Sequence, residues 1–574
     1  MTKRWIIAPP SPDITSLAKR WRVPEAIAQV LVNRGVNADD RAASFLNPQL
    51  RDLLPPESLP GATAAAQLIV DALRRQCRIV LYGDYDVDGT TGVAILWHVL
   101  RLAGAEVTFY VPHRIEEGYG LNLESVNRLI TEGAGLIVAI DCGITALQEA
   151  EACRKAGVPL IIADHHTPHE SLPDAAAIVH PTVGGGYANP HLCGAGVAFK
   201  LAWAVAQRLN GSQRVDPAFR ELLMELLPLA ALGTIADVVP LLDENRVIAR
   251  FGLAALPHTR FPGLRALIES AGLRGEAIDD YDVGFKLAPR INAAGRMGHA
   301  RLAVELLTRA TEARACEIAL YLEDHNRARQ STERQIARQA YEMVDGHGLA
   351  GDSRRAIVLA SEGWHAGVIG IVASRVVERY HRPTVMISLG ASEAQGSGRS
   401  VSRFDLNQAL ASCADHLIAF GGHAMAAGLR IEPKNVGAFT ESFVHVANNR
   451  LTGDDLVPRL RLDGELGLHD LSVEAAEAVA SLGPFGVGNP RPRFATDWLQ
   501  VADEPRRVGR NQEHLQVVLR QNGSTIKGIA FGQGDRAEDL KQHRRCRVAF
   551  EPIINRFNNR RTAEMQIVDF QFPA

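Results

Sequence analysis

Ten residues, Gly83-Asp-Tyr-Asp-Val-Asp-Gly-Thr-Thr-Gly92, constrain this chain more than any other stretch. Three aspartates, Asp84, Asp86 and Asp88, alternate directly behind the apolar run Arg78-Ile-Val-Leu-Tyr82, which reads as a short buried strand. An extended backbone there puts all three carboxylates on one side. Beyond Gly89, an apolar-rich segment from Gly92 to Gly104 has the length and the glycine stop of a helix. Strand, acidic turn and helix in succession are how an open α/β sheet presents a site at the carboxyl ends of its strands. A calcium loop also begins Asp-x-Asp-x-Asp-Gly, but its twelfth position needs a bidentate Glu, and here that position is Ile95. A solvated acidic turn is the plainer alternative; against it stands the mutual repulsion of three adjacent carboxylates unless cations lie among them.

The 574 residues are too many for one core, so roughly two to four domains are expected. A net charge of −3 excludes a uniformly basic nucleic-acid binder, and any polyanion site must be a local patch. Seven cysteines are scattered without a C-x-x-C pair and read as free thiols in a reducing compartment. The start has no apolar stretch long enough for a signal peptide. The most apolar later stretch, Leu222 to Leu242, contains Glu225, Pro228 and Asp237 and reads as buried core rather than a membrane span. A cytoplasmic protein without a membrane partner is expected.

Residues 1–60 carry a helical pattern near Pro24 and no chemistry. From Thr63 onward, strand and helix patterns alternate, the signature of a parallel sheet. Leu136-Ile-Val-Ala-Ile140 delivers Asp141, followed by a helix that opens at the capping box Thr145-Ala-Leu-Gln148 and stops at Gly157. Leu160-Ile-Ile-Ala163 delivers Asp164-His165-His166, and Leu229 to Ala236 delivers Asp237. One Asp at a strand end is usually a cap or turn former. Four apolar segments that each end in an acidic residue, one with His-His, are hard to assign to caps. A carboxylate-rich set with one or two imidazoles suits Mg²⁺ or Mn²⁺ better than zinc. Two ions bridged by a shared Asp would serve in-line displacement at phosphorus.

In this order and spacing, Asp84-Tyr-Asp86-Val-Asp88-Gly, Asp141-x-Gly143, Asp164-His165-His166 and Asp237 resemble the four motifs of the DHH phosphoesterase superfamily. The resemblance implies that Asp84, Asp86, Asp88, Asp141, His165 and Asp237 hold two metals, with Asp141 bridging. It also implies that His166 faces the scissile phosphate and that Asp164 orients its neighbours.

No Gly or Pro occurs between Gly298 and Gly346, where apolar and charged residues interleave as in a helical connector, broken near Thr311. If its second part is one helix, it spans on the order of 50 Å at ~1.5 Å per residue. The Arg-rich run 327–338 reads as a solvated helix face. Just before the connector, Pro289 to Gly298 is too glycine-rich and basic for core; it could present Arg290, Asn292 or Arg296 to phosphates, or be a plain turn. A second α/β unit begins at Ala356. Its loops Gly396-Ser397-Gly398-Arg399-Ser400 and Gly421-Gly422-His423 to Gly428 allow close approach to a ligand backbone, although each could be a tight turn. Together they resemble the DHHA1 domain, which implies nucleotide contacts by Ser397, Arg399 and His423.

From about Leu456, short alternating runs with polar turns suggest a small barrel, of which the OB-fold is the nucleic-acid version. Residues 541–561 hold seven Lys or Arg, among them Lys541, Arg544, Arg545, Arg547 and Arg556, against one Glu, with Phe550 and Phe557 interleaved. A positive groove with aromatics is how single strands are held, although the two Phe residues could equally be barrel core.

The expected architecture is therefore α/β: an N-terminal segment over 1–60, a DHH parallel-sheet domain over 61–245, a long helical connector over 246–350, a DHHA1 domain over 351–452 and an OB-like β-barrel over 453–574. The resemblance covers nearly the whole chain after residue 60 and is to the single-strand-specific DNA exonucleases of that superfamily. It implies 5′→3′ release of 5′-mononucleotides with two Mn²⁺ or Mg²⁺, Arg114 as a further candidate for the terminal phosphate, recruitment by a single-stranded-DNA-binding protein, and a monomer. The alternatives are a small-substrate DHH enzyme, an oligoribonuclease or pyrophosphatase, and a non-catalytic single-strand binder. A dinucleotide does not need the barrel with its basic run, and a decayed scaffold would not keep Asp or His at every ligand position.

Overall fold

A computed structural model of the chain describes residues 3–112, 117, 120–296, 299–557 and 560–573, apart from the side chains of Arg296 and Phe557. The chain divides into two compact units, one of Ile7–Glu323 with Leu462–Ala574, the other of Met1–Ile6 with Asp324–Arg461. Counts below are of the described residues.

The first unit is built on a parallel sheet. Its elements are β1 (Ile79–Gly83), α1 (Val87–Leu102), β2 (Val107–Tyr110), β3 (Leu136–Ile140), β4 (Leu160–Ala163), β5 (Ala177–Val179), α2 (Gly194–Asn210) and α3 (Pro217–Ala236), with strand order β2-β1-β3-β4-β5. Strands β1, β3 and β4 are buried at every residue because both faces are covered, which is why they read as continuous apolar runs. Ile79, Leu81, Val138 and Ile140 pack with Val93, Leu96, Leu201 and Leu229 of the helices; Val80, Tyr82, Ile137 and Ile162 pack on the other face with Val126 and Leu129.

The segment Leu229 to Ala236 is the second half of helix α3, not a strand, and Asp237 is its C-cap. The run is almost entirely buried, and a helix buried on all sides has the same unbroken apolar pattern as a parallel strand. Pro228 lies inside this helix. Among the described residues no helix is long and apolar enough to cross a membrane. The helix after Asp141 runs Leu147–Ala156 with Ala146 as N-cap and no side-chain cap, so the capping box at Thr145 does not form; the left-handed stop at Gly157 does.

In the second unit, α4 (Glu312–Gly346) is one helix of 35 residues, although its first residues, to Glu323, belong to the first unit. The break before it is at Thr311, whose Oγ1 accepts the Arg314 N–H at 3.4 Å. The Arg-rich stretch is not a solvated face throughout: Arg329 is 10% exposed and pairs with Glu333 at 2.7 Å, Glu333 also pairs with Arg375, and Ile336 and Ala337 are core. The sheet comprises β6 (Ile357–Glu362), β7 (Thr384–Leu389), β8 (Ala394–Arg399), β9 (Ala419–Gly422) and β10 (Ala426–Ile431) in the order β9-β10-β8-β7-β6, with α5 (Ala366–Tyr380) packed against it. Only β6 and β7 pair in parallel. The two glycine-rich stretches expected as loops are therefore largely the strands β8, β9 and β10. Glycine has low strand propensity, and here backbone pairing on both sides of β8 supplies what the side chains do not.

The C-terminal strands β11 (Leu499–Val501), β12 (His514–Gln521), β13 (Ser524–Ala530), β14 (Arg545–Phe557) and β15 (Arg560–Gln571) close the circuit β11-β12-β13-β15-β14-β11. Leu519, Ile526, Val548, Met565 and Ile567 fill this barrel. Phe550 is fully buried beside Phe494, at 6.3 Å between centroids, so it is core and unavailable to a groove. Phe557 has its side chain outside the description. All seven cysteines are free thiols.

Candidate metal centre

The three aspartates of the opening motif do not lie along one extended strand. Asp84 follows β1; Asp86 is the N-cap of α1 and accepts the Gly89 N–H at 3.1 Å; Asp88 sits in the first helical turn. The turn from strand to helix, rather than strand alternation, gathers them. Asp88 accepts the N–H groups of Gly194 at 2.6 Å and Ala195 at 2.9 Å, so the N-terminus of α2 fixes the position of this carboxylate. Two glycines make the approach possible: a Cβ on Gly194 would fall 2.6 Å from Asp141 Oδ1, and one on Gly233 would fall 2.5 Å from Asp88 Oδ1. Sequence reasoning misses both, although Cys193-Gly-Ala-Gly before an apolar run is a legible helix start.

Asp141, at the end of β3, has φ of 61°, a left-handed conformation that costs a non-glycine residue about 1–3 kcal/mol. His165, two residues beyond β4, places Nε2 at 3.1 Å from Asp141 Oδ1, 3.5 Å from Asp237 Oδ2 and 3.6 Å from Asp88 Oδ2. That nitrogen is buried and hydrogen-bonds none of them. Asp164 accepts the N–H groups of Ile144 (3.0 Å), His165 (2.7 Å) and His166 (3.2 Å), and His166 Nδ1 lies 2.7 Å from its Oδ1. His180, fully buried and not anticipated, lies with Nε2 at 2.8 Å from the His166 carbonyl and fixes the loop from behind.

Charge follows from this crowding. Burial, then the carboxylates of Asp88, Asp86, Asp84 and Asp237, push Asp141 well above the usual carboxylate range; Asp86 is raised by burial and by Asp88. Asp237 is pushed up to about 8 by burial together with Asp88 and Asp86. Burial would raise Asp164 too, but its hydrogen bonds and the charge of His166 outweigh it and hold the carboxyl at about 2. Burial works against the His166 cation, yet Asp164 reverses the balance and lifts it to about 9.

Three sets of ligand atoms lie within 4.8 Å of one another: Asp84, Asp86 and Asp141; Asp141, His165 and His166; and Asp88, His165 and Asp237. Oxygen donors with one or two imidazoles, carboxyl groups mutually raising one another, and a buried imidazole nitrogen ringed by carboxylates at non-hydrogen-bonding geometry fit divalent cations such as Mn²⁺ or Mg²⁺. The sequence-predicted ligands are thus all brought together.

Around the cluster, Gly295 approaches so closely that a Cβ would fall 2.6 Å from the Tyr85 carbonyl oxygen. The segment expected as a basic turn is instead the helix Ala288–Arg296, with Ile291, Ala293 and Ala294 buried. Arg290 is 12% exposed, pairs with Glu323 at 2.7 Å and donates to the Lys286 carbonyl at 2.6 Å, so it braces the helix rather than meeting solvent. Arg114 and the side chain of Arg296 lie outside the described residues.

In the second unit, Ser397 and Arg399 project from β8 on the same side, two residues apart, and Arg399 Nη1 donates to Ser397 Oγ at 3.2 Å. Strand β10 runs beside them with Gly428 opposite Ser397 and Ala426 opposite Arg399, and exposed His423 lies in the turn into β10. Gly370 of α5 gives them room: a Cβ there would meet Ser397 Oγ at 2.7 Å and Arg399 Nη2 at 3.1 Å.

Family models match along the chain: the DHH family N-terminal domain over residues 78–234, the DHHA1 domain over 353–449 and the RecJ OB domain over 462–569. The single-stranded-DNA-specific exonuclease RecJ of Bacillus subtilis is 38% identical over 571 residues, which cover 99% of this chain and 70% of that protein. The chain belongs to the RecJ family of single-stranded-DNA-specific exonucleases. The crystal structure of RecJ from Thermus thermophilus in complex with Mn²⁺ matches with a TM-score of 0.85 and 34% identity, over all of this chain and 80% of that one. RecJ from the same organism in complex with Mg²⁺ matches at 0.78 and 32%, over all of this chain and 79% of that one.

The basic run of the RecJ OB domain is not one groove. Lys541 pairs with Glu504 and Glu538, both at 3.3 Å, and exposed Arg544 caps the helix Ala537–His543. The Arg545 guanidinium lies 5.6 Å over the Trp498 ring. Arg547 donates to the Thr496 carbonyl at 2.9 Å and pairs with Glu465 at 2.7 Å, a bond within the barrel wall. Exposed Arg556 lies opposite Arg561 near the far end of the β14–β15 pair. Nine residues of strand, about 30 Å at ~3.3 Å per residue, separate Arg547 from Arg556. The charges adjacent in sequence thus form two patches.

Proposed function

We propose that this RecJ-family member degrades single-stranded DNA 5′→3′, releasing 5′-mononucleotides, in DNA repair and recombination. The observation that carries the site assignment is the sharing of Asp141 and His165: Asp141 belongs to two of the three ligand sets, as a bridging carboxylate must, and His165 likewise joins two. On this reading Asp84, Asp86, Asp88, Asp141, His165 and Asp237 hold two ions. Bound there, Mn²⁺ or Mg²⁺ would polarise the scissile phosphate and lower the pKa of an attacking water. The His166 ring, held through Nδ1 by Asp164, directs Nε2–H to a phosphate oxygen, and the Asp164 carboxylate keeps that ring oriented and charged. Asp88, fixed by the N-terminus of α2, keeps one wall of the site rigid.

Ser397, Arg399 and His423 supply donors for the 5′-phosphate and terminal nucleotide, with Asn292 and the basic residues Arg114 and Arg296 as further contacts. Arg290 acts indirectly, through the helix it braces. Lys541, Arg544, Arg545 and Arg556 carry phosphate charge away from the site, and Arg547 shapes the barrel that presents them. The domain limits read from sequence, the cytoplasmic location, the monomeric state and recruitment by a single-stranded-DNA-binding protein belong to the same proposal. Digestion of 5′- and 3′-labelled single strands, duplex and RNA with added Mn²⁺ tests it. Mononucleotide release from the 5′ end of single-stranded DNA is expected; 3′ polarity, or preference for RNA, overturns it.

A further inference from the structure

The helix Glu25–Asn33 and the strand Gly464–Glu465 border a groove of about 700 Å³ that the metal chemistry leaves unused. Its floor is Ile27, Val479 and Phe494, all buried, and half-buried Ile14, Leu466 and Ala475 extend the apolar lining towards solvent. Ile27 and its neighbours Val30 and Leu31 share one core with Phe494, Val517 and Phe550 of the barrel, so the two sides are parts of one packed body. Side-chain amides fix their separation. Buried Gln29 accepts the Ser11 N–H at 2.8 Å and donates to the Pro9 carbonyl at 3.2 Å and to Asn33 Oδ1 at 2.7 Å; Asn33 in turn donates to the Asp463 carbonyl at 2.8 Å. A groove held in this way is formed before a ligand arrives, and filling it orders little of the protein.

Four carboxylates rim the groove, Glu25, Asp463, Glu465 and Asp470, and among the described residues no Lys or Arg lines it. Glu465 is paired with Arg547 at 2.7 Å, and Arg34, within electrostatic reach of Asp463, donates to Asn489 and to the Pro490 carbonyl. Glu25 accepts from the Thr15 O–H at 2.8 Å, and Asp463 accepts from Asn33 at 3.2 Å and from the Arg493 N–H at 3.1 Å. Bonds from neutral donors leave the carboxylate charge in place. Exposed Asp470 has the exposed His469 ring at 3.2 Å. A carboxylate rim repels phosphates, so the groove suits neither a nucleic-acid strand nor an anionic lipid surface. We infer that it docks a basic, apolar segment of a partner protein, whose aliphatic side chains enter the floor while Lys or Arg meets Glu25, Asp463 and Asp470. Charge complementarity selects this occupant. The N-terminal segment, which carries no chemistry, thereby acquires a role in assembly, and since none of the metal ligands lines the groove, a bound partner leaves them uncovered.

The probe is a fluorescent amphipathic peptide of ~12 residues, Leu and Lys only, titrated with the full-length protein in EDTA at about 0.15 M salt; Leu/Glu and Ser/Lys peptides are the controls. EDTA keeps divalent cations off the carboxylates. The Leu/Lys peptide binds, and each control binds at least about tenfold more weakly, because each lacks one half of the match. Glu25→Lys with Asp470→Lys weakens the Leu/Lys peptide about tenfold, and Glu25→Gln with Asp470→Asn about threefold. Ala475→Leu, which fills the floor without changing charge, also weakens it about tenfold. All three variants digest single-stranded DNA with Mn²⁺ as the wild type does, which shows an intact fold, and a saturating oligonucleotide in EDTA leaves the peptide bound. No binding of the Leu/Lys peptide, equal affinity for either control, wild-type affinity in the charge-reversed or Ala475→Leu protein, or displacement by the oligonucleotide each overturns the inference.

Discussion

At the carboxyl end of the parallel sheet, Asp84, Asp88, Asp141 and Asp164 are each 2% exposed or less, whereas on the glycine-rich strands of the second sheet Ser397 and Arg399 are half-buried and His423 is exposed. The first sheet concentrates like charge where water cannot screen it, and the folded chain tolerates this by raising the carboxyl pKa values and by aiming the α2 amides at Asp88. The second sheet concentrates almost no charge and instead clears space: Gly428 on β10 opposite Ser397, and Gly370 of α5 against Ser397 and Arg399, leave room around one guanidinium. A site for cations must be assembled before its ligand arrives, at a cost in stability. The terminal-phosphate site proposed there would need only a donor and room.

The comparison breaks most visibly at Asp141. Asp141→Ala should cut turnover roughly a thousandfold or more, the equivalent of several kcal/mol of charge stabilisation, while single-strand binding persists. It should also change stability in opposite senses with and without metal. Free of metal, the variant loses a buried carboxylate that repels its neighbours, and its Tm should be equal to or above that of the wild type. On adding Mn²⁺ at about 100 times Kd, the wild type should gain about 2.7 kcal/mol and the variant far less. A metal-induced Tm rise of the same size in both proteins would remove Asp141 from the ligand set.

Next in size is Arg399→Ala. Losing a charge-assisted contact of roughly 1.5–3 kcal/mol should lower kcat/KM on 5′-phosphorylated single strands about ten- to a hundredfold more than on 5′-hydroxyl strands. The metal-dependent Tm shift should not move. Equal loss on both substrates would pass the role of terminal-phosphate reader to another basic side chain.

Gly370→Ala separates space from charge, since it leaves every donor in place. The added methyl falls 2.7 Å from Ser397 Oγ and 3.1 Å from Arg399 Nη2, so those side chains must shift. A helical Gly→Ala change also gains about 1 kcal/mol of propensity. The expected result is a protein of equal or higher Tm with a several-fold loss of 5′-phosphate preference, read from the same pair of substrates. Unchanged preference would mean that the glycine serves packing alone.

The same contrast explains which parts of the molecule could be read from the sequence. Parallel strands announce themselves as apolar runs, and an Asp after each run is a strong signal; β1, β3, β4 and the acidic residues behind them are legible in this way. Asp237 stands out in the same pattern although its segment is the helix α3, and the fold brings it to the same cluster. The misreadings share a cause. Gly396 to Arg399 looked like a loop because its strand character lies in backbone pairing with β7 and β10. Gly194 and Gly233 carry no chemistry of their own and matter only because a Cβ there would fall 2.5–2.6 Å from Asp141 and Asp88. Arg290 and Arg547 looked like free cations, and only tertiary structure places Glu323 and the Thr496 carbonyl beside them.

The smallest effect is expected at the barrel, where the structure divides what the sequence joined. Arg547 is bonded into the barrel wall, so its loss would confound charge with folding. Arg544 and Arg545 at one end of β14 and Arg556 near the other are the informative positions. If Arg544 and Arg545 each neutralise one phosphate, replacing both with Ala should make the slope of log K against log salt shallower by about 1.4, at ~0.7 per phosphate on a single strand. Affinity for long strands should fall several-fold at low salt and hardly at all at high salt, where screening has already removed the contribution. Because these side chains belong to the barrel and not to the acidic cluster, kcat on short strands and the 5′-phosphate preference should both stay at wild-type values. An unchanged slope in this variant, with a shallower one in Arg556→Ala, would place the path of the strand at the opposite end of the β14–β15 pair.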